Sequence, residues 1–249
     1  MNPYTALAQD YDSWMREEFD YEAWCAWIFE QMSHALGCPP QTVCDVCCGT
    51  GTVALALAKR GVAVIGVDAS APMLEVAQQK ARRAGQSVAF VQQDMRTLAL
   101  HRPQDAVCCV CDGINYLTDA KALEAFFAAV RQALTPGGVF LFDCSSPHKL
   151  QSHLGNQTFG ATRADAAYIW ENAYDEKSKL LCMDLTVFHQ SPEGSYTRQS
   201  ERHIQRAWQP EEVEKALGKN GFSVLRMVGD DRTASLAPTD LRHHYVARI

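Results

Sequence analysis

Three observations predict an α/β fold in which a doubly wound, seven-stranded sheet carries an antiparallel β inset as a cap. Over the first 145 residues short apolar β-rich runs alternate with amphipathic helical segments, the pattern of a parallel sheet with crossover helices. After Pro147 the period changes to long extended stretches joined by polar turns. A final helical segment and two strand-like runs then return the chain to the main sheet. Composition agrees: of 249 residues, 47% are hydrophobic and 21% charged, which excludes a disordered chain or a coiled coil. The 23 basic and 29 acidic residues leave a net charge of -6, so the molecule lacks the broad basic field used for non-specific nucleic-acid or anionic-membrane binding.

The elements follow in order. Trp24, Trp27, Ile28 and Met32 recur at helical spacing and predict a leading helix over 23–35. TVCDVC reads as a buried strand, CGTG as a turn, TVALALAKRG as a helix ended by Gly61, and VAVIGVD as a second strand. A helix over 71–84, strands VAFVQQ and AVCCVC, a helix over 120–134, the breaker TPGG and the strand VFLFDC continue the alternation. AAYIWENAYD, LLCMDLTVFHQ and SYTRQSERHIQRAW form the inset, with DEKSK and SPEGS as its turns. Pro210 opens a helix to 217, and FSVLRMVG and LRHHYVARI close the sheet. The segments 145–166 and 230–240 read as long connections. The resulting divisions are a leader over 1–41, a core over 42–147, the inset over 148–208 and closing elements over 209–249.

The turn after the first strand carries the chemistry. Gly49 and Gly51 allow a tight turn and close approach of a ligand to the backbone. Asp45, four residues earlier, repels a pyrophosphate but attracts an ammonium or sulfonium group. Asp68 ends the second strand, where its oxygens can accept from both ribose hydroxyls, and Asp94 after the third can accept from an adenine amino group. Three acids around a neutral glycine turn suit a cationic adenosyl ligand.

With DVCCGTG, GVD, QQDM and LTPGG in place, the chain resembles the class I S-adenosylmethionine-dependent methyltransferases, whose sheet is Rossmann-like. More narrowly, CDGINYL, FDCSSPHKL and YIWENAYD resemble the bacterial YqeM-like group. The resemblance implies S-adenosylmethionine as cofactor and S-adenosylhomocysteine as product. It implies the methionine portion near Asp45 and the turn of Cys48, Gly49, Thr50 and Gly51, the ribose on Asp68, and the adenine near Ala69, Met73, Asp94 and Met95. Cys111 and Asp112 then border the methionine end, Asn115 and Tyr116 the methyl exit, and Tyr4, Tyr11 and Trp24 of the leader form a partial cover. Met73 and Trp24 have a competing reading as core packing.

Methyl transfer to the sulfonium's electrophilic carbon needs mainly alignment and desolvation, so a base is optional. Asn115, Tyr116 and His203 are the catalytic candidates; His203 or His148 gains importance if the acceptor is a hydroxyl. The expected acceptor is a small molecule methylated on nitrogen or oxygen. An RNA or protein acceptor requires a basic groove drawn from Arg163, Lys177, Lys179, Arg198, Arg202 and Arg206, and DGIN stands where base-methylating enzymes carry [DN]-P-P-[FY]. A non-catalytic S-adenosylmethionine-binding protein is the remaining alternative. The ten cysteines read as core filling rather than a metal site, with Cys111 the candidate reactive thiol. No metal and no membrane partner are expected. A cytosolic monomer or homodimer is expected, since MNPYTALAQDYDSW has no basic segment followed by an apolar run.

Overall fold

The computed structural model describes residues 4, 7, 8, 10–15, 20–191 and 193–249; parts of the 1–41 leader therefore lie outside the described residues. Its leader contributes α1 (Tyr11–Met15) and α2 (Tyr21–Leu36). The core runs β1 (Thr42–Val46), α3 (Thr52–Ala58), β2 (Ala63–Asp68), α4 (Ala71–Arg83), β3 (Ala89–Gln92), β4 (Gln104–Cys109), α5 (Ala120–Ala133) and β5 (Leu134–Ser145). Then come β6 (Thr158–Thr162), β7 (Ala166–Asp175), β8 (Leu180–Gln190) and β9 (Tyr196–Arg206), followed by α6 (Pro210–Lys219), β10 (Ser223–Val228) and β11 (Arg242–Arg248).

The main sheet has seven strands in the order β10-β11-β5-β4-β1-β2-β3, with β1 to β5 parallel and β10 and β11 antiparallel. The strand order reverses at β1, with β2 on one side and β4 on the other, and ligands of doubly wound sheets bind outside the strand ends at such a point. Side chains pointing to one face of the sheet pack with α5 and α6, while those on the other pack with α2 and α3. Phe140, Phe142 and Tyr245 stack on the first face. Local signals stop and start the helices as their chemistry requires: Asp20, Ser70 and Asp119 accept from the first-turn N–H groups of α2, α4 and α5, and Gly37 closes α2 in the left-handed region.

The second sheet is antiparallel, in the order β6-β7-β8-β9. It has one strand more than the three extended runs of the inset. The extra one, TFGAT, pairs with β7 from Thr158 against Glu171 to Thr162 against Ala167. It is a short edge strand containing Gly160, so it lacks the apolar run that marks a strand in sequence. TPGG also differs from expectation. It is an excursion within β5: Leu134 already pairs with Gln104, the register shifts, and pairing resumes at Val139 opposite Ala106.

Candidate functional site

The turn after β1 is built on positive φ values: 57° at Cys47, 52° at Gly49 and 76° at Gly51. At Gly51 a side chain is also excluded by space, since an added Cβ would lie 2.9 Å from the Phe90 ring. Asp68 reinforces the turn. One of its oxygens accepts from the Gly49 N–H and the other from the Ser70 N–H, both at 2.8 Å. Burial raises this carboxyl above the ordinary range while the backbone donors of Ser70, Gly49 and Ala69 pull it back. Each oxygen bonded in this way retains a further lone pair for a hydroxyl.

Asp45 is 1% exposed on β1. Its Oδ1 lies 3.5 Å from the Cys108 thiol, and its Oδ2 has no hydrogen-bond partner. Burial pushes the carboxyl up to about 7, against the lowering effect of the Cys108 thiol and the Ala54 N–H. A cavity of about 30 Å³ opens beside it, lined by Tyr11, Tyr21, Cys47, Cys48, Gly49, Thr50 and Cys111 among others. Met73 is buried behind this turn, its Cε 3.1 Å from the position of a Cβ on Gly49, and does not line the cavity. Ala69 is exposed and its carbonyl accepts from Gln92. Met95 is half-buried, its sulfur 3.9 Å from the Cys47 thiol.

Asp94 caps the short 3₁₀ turn Met95–Thr97 and grips Arg96 through both carboxylate oxygens. Those bonds hold its pKa below the ordinary value, in first place through Arg96. An adenine amino group would have to share that carboxylate with a guanidinium.

Opposite the glycine turn, β4 ends two residues earlier than AVCCVC predicts. Cys111 and Asp112 have φ of 62° and 66°, and their N–H groups donate to the two oxygens of buried Asp143 at 3.1 and 2.9 Å. The Arg242 guanidinium lies 2.7 Å from the carboxylates of both Asp112 and Asp143 and passes over the Trp24 ring. Burial pushes the Asp112 carboxyl up, but Arg242 and Lys149 outweigh it and hold it down at about 2. Asp112 is thus already paired with two cations. Cys111 lines the cavity, but burial raises its thiol far above neutrality, so the reading of Cys111 as a reactive thiol does not hold. The other core cysteines divide between faces: Cys44, Cys109 and Cys144 pack in one core, Cys25 and Cys108 in the other.

The cover differs in part from expectation. Tyr11 and Tyr21 line the cavity, whereas Trp24 is 4% exposed in the core beside His244. Asp12 of α1 latches the leader to the glycine turn: its carboxylate accepts from the Thr50 hydroxyl and the Lys80 ammonium, each at 2.5 Å, and Lys80 also donates to Thr52 at 2.8 Å. On the other side, Arg163 donates to the Ser13 carbonyl and stacks on Trp14 at 4.1 Å. The leader thereby bridges the core and the cap sheet.

The catalytic candidates separate. Asn115 is fully buried; its amide nitrogen donates to the carbonyls of Ser145 and Arg206, and its oxygen accepts from the Ser145 N–H. Both amide protons are engaged, so Asn115 clamps β5 and β9 to the turn Gly113–Tyr116 instead of addressing an acceptor. Trp208 strengthens the same junction by donating to the carbonyls of Ile114 and Leu117. Tyr116 and His203 are brought together, with 2.8 Å between Oη and Nδ1, and Tyr116 donates to the Tyr4 hydroxyl at 2.7 Å. His203 Nε2 lies 2.9 Å from buried Glu201. His148, by contrast, leads into the π-helical turn Lys149–His153 with no side-chain capping bond.

Tyr21, Thr52, Asp143 and Arg242 were not singled out by the sequence. The signal available was an acid inside the apolar run VFLFDC and an arginine opening the last strand, an ionic pair at two strand ends that need each other when buried.

Residues 43–138 match the family model described as a methyltransferase domain. A Geobacillus sp. (strain WCH70) protein named as a candidate methyltransferase is 30% identical over 98% of this chain and 99% of its own length. The similarly named YqeM of Bacillus subtilis (strain 168) is 33% identical over 91% and 89%. Among solved structures, an S-adenosylmethionine-dependent methyltransferase from Clostridium acetobutylicum ATCC 824 superposes with a TM-score of 0.89 at 31% identity, covering 100% of this chain and 99% of that one. The CcbJ methyltransferase from Streptomyces caelestis, 22% identical over 97% and 95% with a TM-score of 0.82, shares the fold. Glycine turn, strand order and full-length similarity together show that the chain belongs to the class I S-adenosylmethionine-dependent methyltransferase superfamily.

Proposed function

We propose that this protein transfers a methyl group from S-adenosylmethionine to a nitrogen or oxygen atom of a small molecule in the cytosol. The observation that carries the cofactor reading is the unpartnered Oδ2 of Asp45. A buried carboxylate oxygen without a donor is costly unless a cation meets it, and the cofactor offers an ammonium and a sulfonium. The glycine turn would hold the methionine portion and Asp68 the ribose, with Tyr11 and Tyr21 above them. Since the cavity measures about 30 Å³, roughly one water's share of liquid volume, those two rings move outward when the cofactor enters. Bound there, the cofactor supplies an electrophilic methyl group on a good leaving group. The protein supplies alignment and exclusion of water.

The acceptor reading rests on β9. Its inward residues Glu201, His203 and Gln205 are buried, while Arg198, Ser200 and Arg202 face outward, and Arg202 is paired with Asp184. Arg206 is likewise occupied by Trp208 and Glu212. These arginines therefore do not frame a basic groove at the methyl exit, which favours a compact acceptor over RNA. The two nearly full-length matches, YqeM among them, support a place in the YqeM-like group.

Calorimetry with S-adenosylhomocysteine on the wild type and Asp45→Ala tests the cofactor. Binding by the wild type and its loss in the variant is expected; equal binding by both removes Asp45 from the site. Labelled methyl-donor profiling against small-molecule pools and against RNA then separates the acceptor classes.

A further inference from the structure

Four polar side chains from three parts of the chain form one line beside the cofactor turn. Glu201 and His203 are two residues apart on β9, so they share the inward face, 3% and 5% exposed. Tyr116 comes from the turn after β4 and Tyr4 from the leader, whose carbonyl accepts from Ser70 Oγ at 3.3 Å. Tyr4 packs edge-on against both His203, with ring centres 4.8 Å apart, and Tyr11, at 5.7 Å, which lines the cavity.

We propose that Glu201, His203, Tyr116 and Tyr4 form a proton relay that takes the proton of a hydroxyl acceptor, making this protein an O-methyltransferase. This rests on the reading of the site as a methyl-transfer site.

The donor order supports a relay. Tyr116 has one hydroxyl proton and donates it to Tyr4, so His203 Nδ1 carries the hydrogen between itself and Tyr116. A further proton is shared between Nε2 and Glu201, or both hydrogens sit on an imidazolium beside a carboxylate. This is the order the chain has after taking up a proton. In the converse order Tyr4 donates to Tyr116 and Tyr116 to Nδ1. The acceptor oxygen then forms its bond to the methyl carbon, the methyl–sulfur electron pair stays on sulfur, and the acceptor proton passes to Tyr4. Tyr4's proton moves to Tyr116 and Tyr116's to His203, so one proton enters and one positive charge leaves the sulfur for the imidazole.

Burial raises the pKa of both tyrosine hydroxyls, so they pass protons as neutral groups and the proton comes to rest on His203. The groups facing His203 are Glu201 from its own strand, Tyr116 and Tyr4; the β8 neighbour opposite is Met183. The nearest further charge on the tyrosines, Asp112, is matched by Arg242 and Lys149. Glu201 touches no acceptor and acts as a positioning residue for the imidazole, in the manner of a carboxylate behind a catalytic histidine. An amine acceptor needs no such device at the moment of transfer, because its proton can leave afterwards.

The test has two parts. In ¹⁵N-histidine NMR of the ligand-free protein, Glu201→Gln is expected to lower the His203 titration midpoint by more than one pH unit; a midpoint unmoved by that change overturns the relay. Turnover of labelled S-adenosylmethionine is then measured between pH 6 and 9 with 4-nitrophenol, catechol and glycerol as hydroxyl probes and benzylamine and glycine as amine probes. Methylation of a hydroxyl probe is expected, falling about 10²-fold or more in His203→Ala with loss of the histidine-like limb. Tyr116→Phe is expected to cut turnover while leaving S-adenosylhomocysteine binding intact. Methylation of amine probes alone, equal rates in His203→Ala, or no hydroxyl turnover with cofactor binding preserved, overturns the proposal. Absence of S-adenosylhomocysteine binding instead removes the methyltransferase reading beneath it.

Discussion

Replacing Asp45 by asparagine separates the cost of the buried carboxyl from its use. The carboxyl is pushed from 3.8 up to about 7 by burial, so the folded state holds a proton that the unfolded state releases. Its contribution to stability is therefore greatest below the unfolded pKa and is lost as pH rises toward 7. One pKa unit is about 1.4 kcal/mol, so the full loss is on the order of 4 kcal/mol, of which about 3 kcal/mol falls between pH 5 and pH 8. Asparagine keeps an oxygen for the Cys108 thiol but leaves a buried NH₂ without an acceptor, at about 1–3 kcal/mol that does not depend on pH. In ligand-free protein the wild type is therefore expected to lose about 3 kcal/mol relative to Asp45→Asn between those two pH values. Urea denaturation of both proteins at pH 5, 6, 7 and 8 reads this difference directly, since every other titrating group cancels. S-adenosylhomocysteine, added at pH 8, should stabilise the wild type and not the variant. A gap between the two proteins that stays constant with pH would refute the reasoning, because Asp45 would then carry its charge in the folded state throughout.

Other changes test the parts around it. Arg242→Met leaves Asp112 and Asp143 buried beside each other without their cation, and a loss of about 3–5 kcal/mol is expected in thermal or urea unfolding. Gly66→Ala places a Cβ 2.6 Å from the Phe90 ring and 3.0 Å from the Cys48 sulfur, and should cost about 1–3 kcal/mol; an unchanged midpoint would mean that Phe90 yields freely. Iodoacetamide at pH 8 is expected to label exposed Cys38 and to spare Cys111, whose thiol burial keeps protonated; mass spectrometry of the native protein shows which is modified, and rapid labelling of Cys111 contradicts the cavity as drawn.

The strands were legible wherever burial repeats at short range. β7 and β8 coincide with AAYIWENAYD and LLCMDLTVFHQ, because each residue of those runs follows the pleat and the turns beside them are polar. β6 was not, because an edge strand with a glycine at its centre depends for its existence on β7 and carries little pattern of its own. The same division holds at the site. Asp45, Gly49, Gly51 and Asp68 lie within 24 residues, so their spacing announces a turn chemistry. Arg242 meets Asp112 across 130 residues, and Lys80 meets Asp12 across 68; no local spacing encodes such pairs. Asn115 shows the opposite error. Its place in the turn after β4 suggests an acceptor contact, and only the carbonyls of Ser145 and Arg206 show that the amide points into the protein.

The cap sheet and the cofactor turn are joined by side chains whose chemistry would be wasted in a simple lid. Asn115 and Trp208 fasten the end of β9 to the turn after β4, and that fastening fixes where His203 stands relative to Tyr116. A relay needs distances near hydrogen-bond length at each link, so it needs a rigid junction behind it. Tyr4 is the exception, since it belongs to the leader, which Asp12 holds through Thr50 and Lys80 and which Arg163 holds from the cap side. Three links of the line are thus set by the folded core and the fourth by a segment that must shift when the cofactor enters. The relay is complete only with the leader closed, which ties proton removal to the same movement that excludes water from the transfer.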